Sequence, residues 1–96
     1  MTGKERAAWR AKANSLEPLF QIGKGGINEN MIRQIDDALE KRELIKLHVL
    51  ENSLMDTRSA CDEIVNAVGA EPVIVIGSKF AIYRESKDYK EIVLPR

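Results

Sequence analysis

Apolar positions recur along this chain at two different periods, and each period predicts a different element. Trp9, Ala13 and Leu16 stand at i, i+4 and i+7, which predicts a first helix with a narrow apolar stripe. Thr2 and Glu5 fit a capping box that opens this helix at about residue 3, and Pro18 forces it to end earlier. Leu19 to Ile22 reads as a short strand. Met31, Ile35, Ala38 and Leu39 then share one face and predict an amphipathic helix over 29–42. Asn28 is its expected N-cap, with Glu29 in the first turn. Ile27 and Ile32 are spaced for a hydrophobic staple, and Asp37 and Lys41 for an i, i+4 pair.

Beyond residue 43 the period changes to two. Ile45, Leu47 and Val49 alternate with Lys46 and His48, a strand over 44–50 with one covered and one wetter face. A third helix follows from Asp56 as cap, with Ala60, Cys61, Ile64, Val65 and Val68 on its apolar side and Gly69 at its end. "VIVI" and "KFAIYR" flank Gly77-Ser78, the pattern of a type II′ hairpin. "VIVI" does not alternate, which suggests a strand covered on both sides or central in the sheet. The tail from Glu85 is charged and then apolar, open to disorder or to a short edge strand. The order helix, strand, helix, strand, helix, strand, strand predicts one α/β domain over 1–96. Strands joined through helices imply right-handed parallel crossovers. With the final hairpin they give a four-stranded mixed sheet and three helices in a compact sandwich.

Composition narrows the class. A length of 96 residues, 44% hydrophobic and 31% charged, suits a single folded domain. No apolar run reaches the roughly 20 residues of a membrane span. The charged start lacks the apolar region of a secretory signal, and the single cysteine, Cys61, cannot form an internal disulfide. A cytoplasmic setting is expected. Net charge is zero, but it is unevenly spread. Lys4, Arg6, Arg10, Lys12 and Lys24 face only Glu5 and Glu17 within residues 1–27, a local excess of +3, and the remainder carries −3.

That excess surrounds "GKGG", residues 23–26, which joins the first strand to the second helix. Each glycine costs roughly 0.5–1 kcal/mol of chain entropy, so three in four positions imply a geometric need. The need is either a tight turn or room for a ligand against the main chain. The Walker phosphate-loop pattern is absent. A dinucleotide fingerprint, Gly23-x-Gly25 with Glu51 as the ribose acid, is a weak alternative, because its third glycine position is Asn28 and a helix precedes the first strand. Gly23, Lys24, Gly25 and Gly26 do fit Gly-x-x-Gly, a loop that clamps nucleotide backbone in KH-type modules. Free amides and the positive end of a helix attract phosphate, and Lys24 adds a mobile ammonium. Asn28 competes for some of those amides.

Arg6, Arg10 and Asn14 form a stripe at i, i+4 and i+8 beside the Trp9 face. Its self-repulsion costs a few tenths of a kcal/mol, so the stripe is either a solvated face or a surface that a polyanion completes. Lys46 points off the wetter side of its strand and extends the same path, or is an ordinary surface lysine. Arg33 is placed to pair with Glu29. Asp36, Asp37 and Glu40 read as a solvated helix face. His48 is the sole histidine and has no cysteine cluster, so no metal ligand set, cofactor site or catalytic constellation is evident. Cys61 and Trp9 read as core. Phe80 and Tyr83 fall on opposite faces of one strand and do not form an aromatic pair for stacking bases.

"QIGKGG" followed by "QIDDALEKRELIK", and further "VIVIGSKFAIYRESK", strongly resemble the YhbY-type CRM-domain family, named for chloroplast RNA splicing and ribosome maturation. The resemblance covers nearly the whole chain. It implies a fold similar to the C-terminal domain of bacterial translation initiation factor three. It implies a non-enzymatic RNA-binding protein associated with precursors of the large ribosomal subunit, and a monomer is expected. The family's loop falls on Gly23, Lys24, Gly25 and Gly26, and its basic first helix on Arg6 and Arg10. Ribosomal RNA is the implied partner. The alternative is a protein-interaction module docking on ribosomal proteins or an assembly GTPase. The chain departs from the family pattern in its neutral charge and in Trp9, where an aliphatic residue is expected.

Overall fold

The fold is known from a computed structural model, which describes residues 3–85. Thr2, the expected capping partner, and the tail from residue 86 lie outside the described residues. In chain order the elements are α1 (Gly3–Asn14), β1 (Phe20–Ile22), α2 (Glu29–Arg42), β2 (Leu44–Val49), α3 (Thr57–Val68), β3 (Glu71–Ile76) and β4 (Lys79–Tyr83). The strands form one mixed sheet in the order β1-β2-β4-β3. β1 and β2 pair in parallel, and β4 lies antiparallel to both β2 and β3. The expected architecture of three helices and a four-stranded mixed sheet is the one observed. Among the described residues no helix is long and apolar enough to cross a membrane.

Local chemistry explains where the helices begin and end. The Asn28 side chain accepts the Met31 amide at 2.8 Å, and the Asp56 carboxylate accepts the Ser59 amide at 2.7 Å. Gly69 closes α3 with φ of 68° and donates its amide to Val65 O. α2 ends without a glycine. Glu43 takes φ of 64° and donates its amide to Leu39 O at 2.9 Å, which nothing in "EKRELI" announces.

The Asp56 cap has a pH consequence. Its hydrogen bonds with Ser59 hold the carboxyl below the ordinary value of 3.8. A depressed carboxyl stabilises the fold fully above its unfolded value and loses that effect as pH falls through the folded value. The difference in unfolding temperature between the protein and Asp56→Ala should therefore be full at pH 6 and shrink progressively below about pH 4. A gap independent of pH would show that the charge is not what caps α3.

Helices cover both faces of the sheet. α2 and α3 bury one face, where Ile22, Ile35, Leu39, Ile45, Leu47, Ile64, Phe80 and Ile82 form the main core. Each such side chain contributes roughly 1.5–3 kcal/mol relative to exposure. Cys61 lies in this core, and burial pushes its thiol up to about 11, so it is an inert packing residue. α1 covers the other face over a smaller cluster of Ala13, Leu44, Val73 and Ala81, with Trp9, Ile74 and Tyr83 at its margin. The Trp9 and Tyr83 rings meet at 4.5 Å between centroids.

Several local expectations need correction. β3 is the sheet's edge, not its centre. β4 is the inner strand, buried at Phe80, Ala81 and Ile82. The missing alternation in "VIVI" comes from a bulge. The register passes from Pro72↔Ile82 directly to Ile74↔Ala81, leaving Val73 extra. Val73 and Ile74 consequently both pack on the α1 side, and Val75 returns to the main core. Leu16 lies beyond the end of α1 and is exposed, so it is no part of the helix stripe. The hairpin follows its sequence, with Gly77 at φ of 58° and no positive φ at Ser78, as a type II′ turn requires.

The acidic face of α2 is only partly a solvated surface. Asp37 and Lys41 are exposed and not ion-paired with each other. Asp36 and Glu40 instead clamp Arg84, which follows β4. The Arg84 guanidinium donates to Asp36 Oδ1 at 2.5 Å, Asp36 O at 3.0 Å, Glu40 Oε1 at 3.1 Å and Val68 O at 2.8 Å. One side chain thus ties α2, the C-terminal end of α3 and the last strand together.

Candidate nucleic-acid interface

The GKGG segment leaves β1 at one end of the sheet. Leu50 donates its amide to Ile22 O at 2.8 Å, and Val49 donates to Ser78 O at 2.7 Å. These bonds gather the GKGG segment, the loop after β2 and the β3–β4 hairpin at that end. GKGG itself is a four-residue turn closed by the Gly26 amide donating to Gly23 O at 3.0 Å. Gly26 carries φ of 70°, a conformation that favours glycine. Lys24 and Gly25 occupy the turn's exposed corner.

The three glycines are not equivalent. Gly26 is explained by its backbone angle. A Cβ on Gly23 would meet Asn52 Oδ1 and Leu50 Cδ1 at 3.6 Å, an ordinary contact. A Cβ on Gly25 would meet nothing within 4 Å, and its φ lies outside the left-handed region. Packing among the described residues therefore gives no reason for glycine at 25. What a bare Gly25 provides is close approach to the main chain from outside.

Amides are available for such an approach. Asn28 consumes two, taking Met31 N–H on its side chain and Ile32 N–H on its carbonyl. Gly26 N–H is spent on the turn. Among the described residues no acceptor meets the amides of Lys24, Gly25, Glu29 or Asn30. Those of Glu29 and Asn30 lie at the positive end of the 14-residue α2, which favours anions, and those of Lys24 and Gly25 lie in the turn that precedes it.

The structure places the other predicted residues on the opposite face of the sheet. Arg6, Arg10 and Asn14 are exposed on α1, and neither arginine is ion-paired among the described residues. Their direction follows from helix geometry, at about 100° per residue. Trp9 and Ala13 face the sheet, and Lys12 sits over the Trp9 ring at 4.9 Å, beside Arg42 and Leu44. That flank looks toward the start of β2. The Arg6–Arg10–Asn14 flank is the other one and looks toward the end that carries GKGG. Lys46 does not extend the path as a free cation. Its ammonium donates to Ala13 O at 3.2 Å, in the last turn of α1, and to Leu16 O at 3.4 Å, in the chain just beyond it. It anchors α1 to the sheet and thereby positions the arginine flank. Arg33 and Glu29 line one cleft between α2 and α3 but do not form the expected pair.

Sequence reasoning missed the surface between that flank and the turn. α1 lies over the sheet rows containing Leu44 with Tyr83 and Lys46 with Ala81. The next row, Gln21–His48–Lys79–Ile76, is left open. Gln21 and Lys79 are exposed, His48 is half-buried and Ile76 is 59% exposed. The row holds two nitrogen bases and no carboxylate, so it suits a polyanion. No spacing rule brings these four together, because the row depends on the strand order β1-β2-β4-β3. Among the described residues no cluster of His, Cys, Asp or Glu could hold a metal.

Comparison with known proteins agrees with this architecture. Residues 1–84 match the CRS1 / YhbY (CRM) domain. The chain is 46% identical over 95 residues to Probable RNA-binding protein YqeI of Bacillus subtilis (strain 168), covering 99% of each. It is 34% identical over 93 residues to Probable RNA-binding protein MJ0652 of Methanocaldococcus jannaschii, covering 95% of this chain and 69% of that one. The solution structure of SAV1595 from Staphylococcus aureus superposes with a TM-score of 0.77 at 55% identity, covering 95% of both chains. A match over nearly all of the described fold, with the glycine turn inside it, makes this chain a member of the CRS1/YhbY (CRM) domain family.

Proposed function

We propose that this chain is a non-enzymatic RNA-binding protein whose glycine turn takes the sugar-phosphate backbone. The observation that carries the reading is Gly25, exposed at a turn beside unsatisfied amides, with no intrachain reason to lack a side chain. Lys24 supplies charge at the turn, and the Arg6–Arg10 flank with Lys79 supplies it along the strand's onward path. The names of the Bacillus and Methanocaldococcus relatives support RNA as the ligand class. The family resemblance points to ribosomal RNA of a large-subunit precursor, held during assembly, as the RNA in the cell.

Two measurements test this. With about four phosphates neutralised on single-stranded RNA, log affinity should fall against log salt with a slope near −3. A slope near zero would remove the electrostatic clamp. Crosslinking in cells followed by sequencing of the attached RNA should place reads in large-subunit precursor RNA. A scatter over messenger RNA would overturn the ribosomal assignment.

Gly25→Ala separates the roles of the turn. Where alanine fits the native angles, losing glycine raises stability by about 0.4–1 kcal/mol through the unfolded chain. The variant should unfold at the same or slightly higher temperature yet bind RNA more weakly. Tight binding by a stabilised Gly25→Ala chain would mean that the bare backbone at 25 serves no ligand.

A further inference from the structure

Two clefts on the helical side of the sheet are charged. The larger, about 690 Å³ between α2 and α3, is lined by Glu29, Asp36 and Glu63 against Arg33, and its carboxylates repel phosphate. The cleft of about 520 Å³ at the end of β4 holds the Arg84 ion network. A third differs in kind. It lies between β1 and α2, has a volume of about 390 Å³, and no charged residue lines it, although 31% of the chain is charged.

Its polar lining is carboxamide. Gln21, Asn28, Asn30 and Gln34 line it, including both glutamines of the sequence, and Phe20 and Met31 are among its apolar walls. Asn28 spends its side-chain oxygen on the Met31 amide, which leaves its NH₂ to donate outward. Asn28 and Asn30 in its lining belong to the head of α2, the segment that follows the glycine turn in the chain. A carboxamide presents a donor and an acceptor side by side, which is the pattern of a base edge and matches adenine in a bidentate pair. Apolar walls suit the faces of a base, and the volume falls in the range of roughly 300–1,000 Å³ typical of small-ligand sites. With no cation in its lining, the cleft has no charge of its own to hold phosphate, which the neighbouring amides take instead.

We propose that this amide-lined cleft is a base-reading site. It receives an unpaired base, adenine above the others, from the nucleotide whose phosphate rests on the glycine turn. The proposal rests on the backbone-clamp reading and assigns it a sequence preference. The turn supplies affinity without information, and the cleft supplies discrimination.

The test uses the full chain with fluorescent single-stranded nine-mers of A, C and U. The unsubstituted protein should bind the A nine-mer about tenfold more tightly than the others. Asn30→Ala/Gln34→Ala changes two exposed helix positions, so the fold should be retained. This variant should bind all three oligomers alike, with an unchanged salt slope. Equal binding of the three by the unsubstituted protein, or a preference that survives loss of both amides, overturns the base-reading site and leaves the clamp standing. Absence of salt-dependent binding to any of the three overturns the clamp, and the cleft proposal falls with it.

Discussion

Lys24→Glu should lower RNA affinity by about tenfold or more and leave the fold intact. A unit charge about 6 Å from a phosphate in water is worth roughly 0.7 kcal/mol, and reversing it doubles the change. The side chain is exposed at the corner of the turn and among the described residues makes no hydrogen bond or ion pair that folding would miss. Thermal unfolding should shift by no more than about 3 °C, as for most surface substitutions. The salt slope should also become shallower by about 0.7, the contribution of one phosphate contact on a single strand. Anisotropy titrations at several salt concentrations measure both quantities. An unchanged affinity would place the phosphate contacts elsewhere.

Arg84→Met should show the opposite division, a large loss of stability with binding retained while the protein is folded. The guanidinium makes four hydrogen bonds and its side chain is 18% exposed, against 49% for Asp36 and 27% for Glu40. Removing it leaves two carboxylates side by side on one helix face, and the Val68 carbonyl loses its partner. Hydrogen bonds to charged groups are worth about 1.5–3 kcal/mol each, and they do not add when one side chain makes them all. Solvent reaches both carboxylates and limits the loss, so the net is about 2–4 kcal/mol. For a domain of this size that lowers the unfolding temperature by roughly 10–25 °C. Arg84→Lys keeps the charge and loses the planar fork, so it should recover only part of the loss. Urea unfolding decides the matter. A Met variant as stable as the parent would reduce the network to surface decoration.

These two arginine and lysine sites show what a sequence can and cannot express. Lys24 stands inside a motif whose meaning is local. A strand end, three glycines and a capping asparagine lie within seven residues, so the turn is legible in the sequence. Arg84 is not, because its carboxylate partners sit 44 and 48 residues away and meet it only once β4 occupies the middle of the sheet. The open row Gln21–His48–Lys79–Ile76 was hidden for the same reason. Elements and caps at Asn28, Asp56 and Gly69 were readable because each is decided by neighbours within one turn of helix.

The errors share a cause as well. "VIVI" looked central because a bulge places Val73 and Ile74 on the same side, and a periodicity of two cannot represent an inserted residue. Lys46 looked like a free cation because its strand alternates as expected. Its acceptors, at the end of α1, are 30 and 33 residues distant. The α1 stripe was extended to Leu16 on spacing alone, whereas the helix stops at Asn14.

Main-chain amides of the glycine turn and of the head of α2 are where the sugar-phosphate strand is expected to rest. Nuclear magnetic resonance titration of the ¹⁵N-labelled chain with a single-stranded RNA reads those amides individually. The largest shift changes should fall on Lys24, Gly25, Glu29 and Asn30, with a second set along Arg6, Arg10 and Lys79. Changes confined to the α2–α3 cleft, with the turn amides unmoved at saturation, would contradict it.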